Sequence, residues 1–124
     1  EAAIQKVAED MAERIRAGGA GIPAFYTPTG AGTLVVQGKE TRVFNGRECV
    51  LEHALKADYA FIRAHRADTL GNLVYHGASR SFNALMATAA RITIAEVDEV
   101  VEPGGIDAEW VMTPGIYVKR IVKR

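Results

Sequence analysis

Gly18-Gly19-Ala20-Gly21-Ile22-Pro23-Ala24-Phe25-Tyr26-Thr27-Pro28-Thr29-Gly30-Ala31-Gly32-Thr33 places five glycines beside Ile22, Phe25 and Tyr26, which call for burial. An ordinary connector is less glycine-dense, and a solvated tail is less apolar. Glycine loses more conformational freedom on folding than any other residue, so such a run belongs where the backbone takes positive φ or is closely approached. Composition leaves two readings open. The bare N–H groups beside Tyr26, Thr27 and Thr29 can form an anion-accepting nest or an oxyanion hole. Alternatively, the stretch is a structural hinge that tucks Phe25 into the core. It matches neither GxGxxG after a strand nor GxxxxGK[ST], so neither a dinucleotide fold nor a P-loop follows from it.

Upstream, Ile4, Val7, Met11 and Ile15 recur at helical steps between charged residues, which predicts an amphipathic helix over residues 2 to 17. Arg14 and Arg16 suit its C-terminal end, and Gly18 or Gly19 is the expected left-handed cap. Downstream, Thr33 to Val36, Thr41 to Phe44 and Arg47 to Leu51 read as β segments, and Asn45-Gly46 is a hairpin turn. A small antiparallel meander is expected there. Tyr59 to Ala64 fits a buried strand, Arg66 to Asn72 a polar turn, and Leu73-Val74-Tyr75 a short return. Ser79 or Ser81 caps a helix over residues 80 to 90 with Phe82, Leu85, Met86 and Ala89 on its apolar face. Strands at Ile92 to Val97 and Tyr117 to Val122, with a helical turn at Asp107 to Trp110, complete the pattern. Strand, turn, helix, strand implies an α/β fold whose mixed, partly parallel sheet is flanked by helices, with a small antiparallel hairpin region. Neither an internal repeat nor a low-complexity linker interrupts the chain, so residues 1–124 are read as a single domain.

The chain has 124 residues, 48% apolar and 24% charged, which fits a globular fold with a moderate core. Fifteen basic residues balance fifteen acidic ones, so neither nucleic acid nor an anionic membrane is an expected partner. A single cysteine, Cys49, excludes an internal disulfide and a Cys-rich metal site, and is read as a small packed residue. Glu1-Ala2-Ala3 opens a charged helical pattern in place of a signal peptide, so the chain is read as cytoplasmic, or as coming from an organelle matrix after processing. His53, His65 and His76 are 12 and 11 residues apart and make no paired-ligand spacing, so no metal is expected. His65 is read as a hydrogen-bonded structural histidine, and Glu96, Asp98, Glu99 and Glu102 as a solvated edge.

Ala12 to Gly30, with Ala-Glu-Arg-Ile-Arg-Ala-Gly-Gly-Ala-Gly-Ile-Pro-Ala-Phe-Tyr-Thr-Pro-Thr-Gly, closely resembles the second half of the A-type subunit of the family I, or 3-oxoacid, CoA-transferases. Ile62 to Leu73, Ser79 to Asn83 and Val111 to Val118 resemble further segments of that family in the same order, so the resemblance covers about residues 12 to 122. The family includes the succinyl-CoA:3-ketoacid, acetoacetate and 3-oxoadipate enzymes. It implies the distal half of the A-type subunit fold and a ping-pong exchange between an acyl-CoA and a 3-oxo acid. A glutamate of the partner, the B-type subunit, is the nucleophile and carries a glutamyl-CoA thioester. Coenzyme A is then a substrate, and no separate cofactor is expected. None of this chain's carboxylates sits in a motif resembling that glutamate's, so no catalytic residue is assigned here. The resemblance points to Gly19, Gly21, Phe25, Tyr26 and Thr27 as pocket residues, with Arg80 and Asn83 as further candidates.

The chain departs from that family pattern at its start. The glycine-rich GGFG-type first half has no counterpart, and Glu1 to Met11 extend the helix backwards where the family has a strand and a Pro-Gln-Gly turn. The junction is read as truncated, rearranged or engineered. Two functions follow as expectations. One is a partial A-type subunit that is active only with the missing half and a B-type subunit. The other is a CoA-transferase-like domain that folds alone or as a homo-oligomer such as a homodimer, masking its sheet edge, without transferase activity.

Overall fold

A computed structural model describes residues 2–124, Val35 through its backbone alone. Glu1, which the sequence reading includes in the helical extension, lies outside the described residues. The chain divides into two compact units, Glu1–Lys56 and Ala57–Arg124. No helix among the described residues is long and apolar enough to cross a membrane.

In the first unit, helix α1 (Ala2–Ala20) leads into strand β1 (Ala24–Thr27), then β2 (Thr41–Phe44) and β3 (Arg47–His53). These strands form an antiparallel sheet in the order β1-β3-β2. Asn45 and Gly46 both take positive φ, 51° and 75°, as the expected two-residue hairpin requires. Two sequence expectations change here. Thr33 to Val36 is not a strand: Leu34–Val36 is a 3-10 turn, and the first strand of the sheet comes from inside the glycine-rich stretch. The apolar stripe of α1 is also mostly unburied. Only Ile15, Ala17 and Gly18 are buried, while Ile4 is 76% exposed, because only the last turns of the helix pack against the segment after β3.

The second unit contains β4 (Ala57–Asp68), β5 (Leu73–Val74), α2 (Phe82–Ala89), β6 (Ala90–Val101) and β7 (Arg120–Lys123). The strand order is β5-β4-β6-β7, with β4, β6 and β7 parallel and β5 antiparallel at the edge. This is the mixed, partly parallel sheet that the alternation of elements implies. Ala60, Ile62, Ala64 and Ala67 of β4 join Leu73, Tyr75, Ala87, Ala95, Val97 and Val118 in one apolar cluster. The run Tyr59 to Ala64 is therefore only half buried: Phe61 is 74% exposed, because alternate residues of a strand point to opposite faces. Helix α2 is shorter than the sequence reading. It buries Ala87 most deeply, and its Thr88 hydroxyl donates to Leu85 O. Ser81 occupies its N-cap position but makes no side-chain capping bond.

The Ala67-Asp68-Thr69-Leu70-Gly71-Asn72 motif has a structural explanation. The buried Asp68 carboxylate accepts from Leu70 N and Asn72 N, each at 3.0 Å, and from Asn72 Nδ2 at 2.8 Å. Asn72 Oδ1 in turn accepts from Gly115 N at 2.8 Å. A Cβ at Gly115 would stand 2.2 Å from Leu70 O, so the Thr113-Pro114-Gly115 segment approaches this turn more closely than any other residue type permits.

Candidate functional site

The glycine-rich stretch begins as a helix end. Gly18 and Gly19 do not stop α1 as the sequence reading has it; both are helical, and the left-handed residue is Gly21 at φ 75°. Ile22 N donates to Ala17 O at 3.0 Å and Gly21 N to Gly18 O at 3.4 Å, the paired bonds of a Schellman motif. Gly18 is glycine for another reason. A Cβ there would lie 2.2 Å from Leu55 O, so the helix rests directly on the backbone that follows β3. Leu55 N donates to Arg14 O at 2.9 Å and holds the same contact.

β1 then runs antiparallel to β3, with Phe25 opposite Glu52, Tyr26 opposite Leu51 and Thr27 opposite Val50. Phe25 and Tyr26 are half-buried and Thr27 is buried. The Tyr26 ring lies 5.2 Å from the Phe44 ring and 5.3 Å from the Arg42 guanidinium, and its hydroxyl donates to Glu40 Oε1 at 3.0 Å. That carboxylate bond, and secondarily desolvation, pushes the Tyr26 phenol above its ordinary value. Thr27 Oγ1 accepts from Thr29 N at 3.1 Å and starts a succession of turns through Gly30, Thr33 and Val36. Gly30 and Gly32 both take positive φ in these turns.

Beside β3 the first unit has an open concavity of about 390 Å³ lined by Arg14, Gly38, Lys39, Glu40, Leu51, Glu52 and His53. At its floor the Glu52 side chain is only 5% exposed, 2.5 Å from Lys39 Nζ and 3.8 Å from Arg14 Nε. Arg14 Nε also donates to His53 O at 2.9 Å. Asp10 belongs to the same electrostatic group. Its buried Oδ1 has no hydrogen-bond partner among the described residues. Burial raises its pKa and the Glu52 charge adds to the rise, while Lys39 and Arg14 oppose it.

Gly19, Gly21, Phe25, Tyr26 and Thr27 thus lie on one continuous helix-end and strand of the first unit. Arg80 and Asn83 belong to the second unit. Arg80 is exposed at the end of the 3-10 turn Gly77–Arg80. Asn83 makes two hydrogen bonds within the unit: its Oδ1 accepts from Arg63 N at 3.0 Å and its Nδ2 donates to Ser79 O at 2.8 Å. Because β5 is only two residues long, Arg63 N on the edge of β4 lies beyond the reach of its ladder, and this amide serves as the partner.

Sequence reasoning misses the Arg14, Lys39 and Glu52 group, because Arg14 reads as a complement to the helix dipole and Lys39 as part of a turn. It also misses a second concavity of about 300 Å³, lined by Arg63, Ala64, His65, His76, Ser79 and Asp98. The expected solvated edge at Glu96, Asp98, Glu99 and Glu102 is exposed to solvent, and three of its carboxylates also make cross-strand pairs. Arg63 reaches Glu96 at 2.8 Å and Asp98 at 2.7 Å, and Arg66 reaches Glu99 at 3.0 Å. The parallel register, Arg63 opposite Glu96 and Arg66 opposite Glu99, dictates these partners.

A family model described as coenzyme A transferase matches residues 5–124. Over 113 residues the chain is 57% identical to the A-type subunit of succinyl-CoA:3-ketoacid coenzyme A transferase from Helicobacter pylori strain J99, covering 91% of this chain and 49% of that protein. Over 112 residues it is 62% identical to the protein of that name from Xanthomonas campestris pv. campestris strain B100, covering 90% of this chain and 46% of that protein. The chain spans about half the length of these curated relatives. The acyl-CoA transferase apoenzyme of Escherichia coli O157:H7 shares the fold, with a TM-score of 0.82 over 93% of this chain and 26% of that chain at 23% identity. With a match that extends from the first turns of α1 through β7, the chain belongs to the coenzyme A transferase family.

Proposed function

We propose that this chain is a part of the A-type subunit of a 3-oxoacid CoA-transferase, which moves CoA from an acyl-CoA to a 3-oxo acid. Its identity of 57% over 113 residues to the corresponding subunit of a succinyl-CoA:3-ketoacid coenzyme A transferase carries the proposal. The nucleophile is a glutamate of a partner, the B-type subunit, whose carboxylate attacks the thioester carbonyl and takes up CoA as a glutamyl thioester before the acceptor acid receives it. The chain's contribution is shape and polarity. The Schellman end of α1 aims β1, and Gly21, Phe25, Tyr26 and Thr27 form one wall of the acyl-CoA pocket, with Gly19 in the supporting helix turn. Glu40 and Arg42 fix the Tyr26 ring before substrate arrives, which lowers the ordering cost of binding. Arg80, exposed in the second unit, is a further candidate for the substrate's anionic groups, whereas Asn83 supports the β4 edge.

The test is a complementation assay. The chain is mixed with a B-type subunit, with the rest of the A-type subunit made separately, and with succinyl-CoA and acetoacetate, and acetoacetyl-CoA is followed. Turnover is expected with all three polypeptides and not when this chain is withheld. Equal rates with and without a well-folded chain would overturn the proposal and favour a domain without transferase activity.

A further inference from the structure

His65 and His76 are 11 residues apart in sequence, yet their ring centroids are 5.3 Å apart with the planes at 60°. The β4–β5 hairpin brings them together: the chain turns back at Leu70–Gly71, and each histidine lies five residues from that turn. On the other side of β4, Asp98 of β6 stands next to His65, with Asp98 Oδ2 3.4 Å from His65 Nδ1. Both imidazoles line the second concavity and remain accessible to solvent, the His65 side chain at 41%.

The ring spacing is compatible with a shared ion. With metal–nitrogen bonds of about 2.0–2.1 Å and near-tetrahedral angles, two imidazoles on one zinc ion hold their ring centres roughly 5 Å apart. Asp98 is the carboxylate that commonly backs a metal-ligating histidine. In the tautomer that carries its proton on Nδ1, His65 donates to Asp98 Oδ2 and keeps the Nε2 lone pair free for an ion. The surrounding charge tolerates a cation as well. Arg63 lines the same concavity, and both Glu96 and Asp98 pair with it, so these three side chains sum to one negative charge. Among the described residues no group of three or more His, Cys, Asp or Glu side chains is arranged to hold a metal ion, so an ion between these rings would have two protein ligands and take the rest of its shell from solvent.

We propose that His65 and His76 form a two-imidazole site for a single borderline divalent cation such as Zn²⁺, with Asp98 orienting His65 and water completing the shell. Calorimetric titration of the untagged chain with zinc chloride in a non-coordinating buffer tests it. One saturable equivalent is expected. His65→Gln and His76→Gln should each weaken binding by at least about tenfold, as should Asp98→Asn given the usual effect of losing an outer-shell carboxylate. His53→Gln should leave it unchanged. In parallel, NMR of the imidazole ring nitrogens of the unsubstituted chain should show zinc-dependent shifts at His65 and His76 and none at His53, a readout independent of how the variants fold. The proposal is overturned if no saturable binding occurs below about 1 mM, if the His65 and His76 variants bind like the parent chain, or if only His53 responds.

Discussion

The two units bury different things. Ala57–Arg124 closes around a contiguous apolar cluster in which Leu73, Ala67, Ala95 and Val97 are fully buried; its ion pairs lie outside that cluster, and its buried carboxylate, Asp68, is held by uncharged N–H donors of one turn. Glu1–Lys56 has few buried apolar side chains, chiefly Ile15, Ala17, Cys49 and Val50, and places a buried carboxylate, Glu52, between two cations with an unsatisfied Asp10 oxygen nearby. Apolar packing stabilises in proportion to area removed from water, about 25 cal/mol per Å². Burying charge costs desolvation that good pairing only offsets. A carboxylate buried between two cationic side chains, together with a backbone assembled from turns and a glycine cap, sets the first unit apart from the apolar cluster of the second. The first unit is where the acyl-CoA pocket is proposed.

The largest effect that would break this comparison belongs to the second unit. Leu73 is 0% exposed and exchanges backbone bonds with the Thr113 segment, accepting from Met112 N and donating to Thr113 O, both at 2.9 Å. Leu73→Ala should remove about 2–5 kcal/mol, because the surrounding strands cannot collapse into the space it leaves. Chemical denaturation followed by amide exchange on β4, β5 and β6 measures this. A loss below about 1 kcal/mol would show that the apolar cluster does not dominate that unit's stability.

The contrast also explains what is readable in advance. The second unit is legible in kind because its period-2 and helical patterns are dictated by one apolar core, so that β4, α2, β6 and the parallel pairing follow from residue order, but the ends differ: Arg66 to Asp68, read as turn, belong to β4, and Tyr117, read as strand, closes a 3-10 turn before β7. In the first unit the same reasoning misplaces two features. The glycines at 18 and 19 read as a helix stop, but Gly18 is there for contact with Leu55 O, and the positive φ falls on Gly21. The stripe Ile4, Val7, Met11 and Ile15 has ideal helical spacing, and α1 forms as expected, yet spacing does not say which turns find a neighbour. Ala24–Thr27 is hidden as a strand because prolines and glycines flank it on both sides, and its partner β3 is set by long-range register alone. The charged group of Arg14, Lys39 and Glu52 is illegible for that reason too, since its members come from a helix, a turn and a strand. The histidine pair, by contrast, can be found by folding the sequence symmetrically about Leu70–Gly71.

Asp10 offers a smaller effect of opposite sign. Its carboxyl is raised chiefly by burial, so between the unfolded-state value near 3.8 and the higher folded-state value the native chain binds more protons than the unfolded one. Stability contributed at Asp10 therefore falls as pH rises through that window, and at neutral pH the group is a net penalty. Asp10→Asn should stabilise the first unit at pH 7 by up to about 1 kcal/mol, with the gain vanishing below the unfolded-state pKa. Urea midpoints measured across acid and neutral pH check this. A variant that is destabilised at pH 7 would mean that Asp10 is a needed counter-charge for Lys39 and Arg14.

The smallest effect separates the two units most cleanly, because each holds a tyrosine displaced in the same direction for a different reason. Tyr26 in the first unit is raised foremost by its hydrogen bond to the Glu40 carboxylate. Tyr75 in the second is raised by burial, with its hydroxyl 2.7 Å from Thr113 Oγ1. Both are acids with elevated folded-state values, so each contributes stability that is present below the ordinary phenol value of 10.0 and is lost as pH rises through the folded value. Removing the charge at position 40 should affect only one of them. In Glu40→Gln, spectrophotometric titration of the phenols should bring Tyr26 back towards its ordinary range while Tyr75 stays elevated until the unit unfolds. Tyr26→Phe should identify which transition moved. If Tyr75 fell together with Tyr26, its displacement would not come from burial in an apolar core, and the contrast between a phenol displaced by a neighbouring carboxylate and one displaced by burial would fail at the position where it is most directly measured.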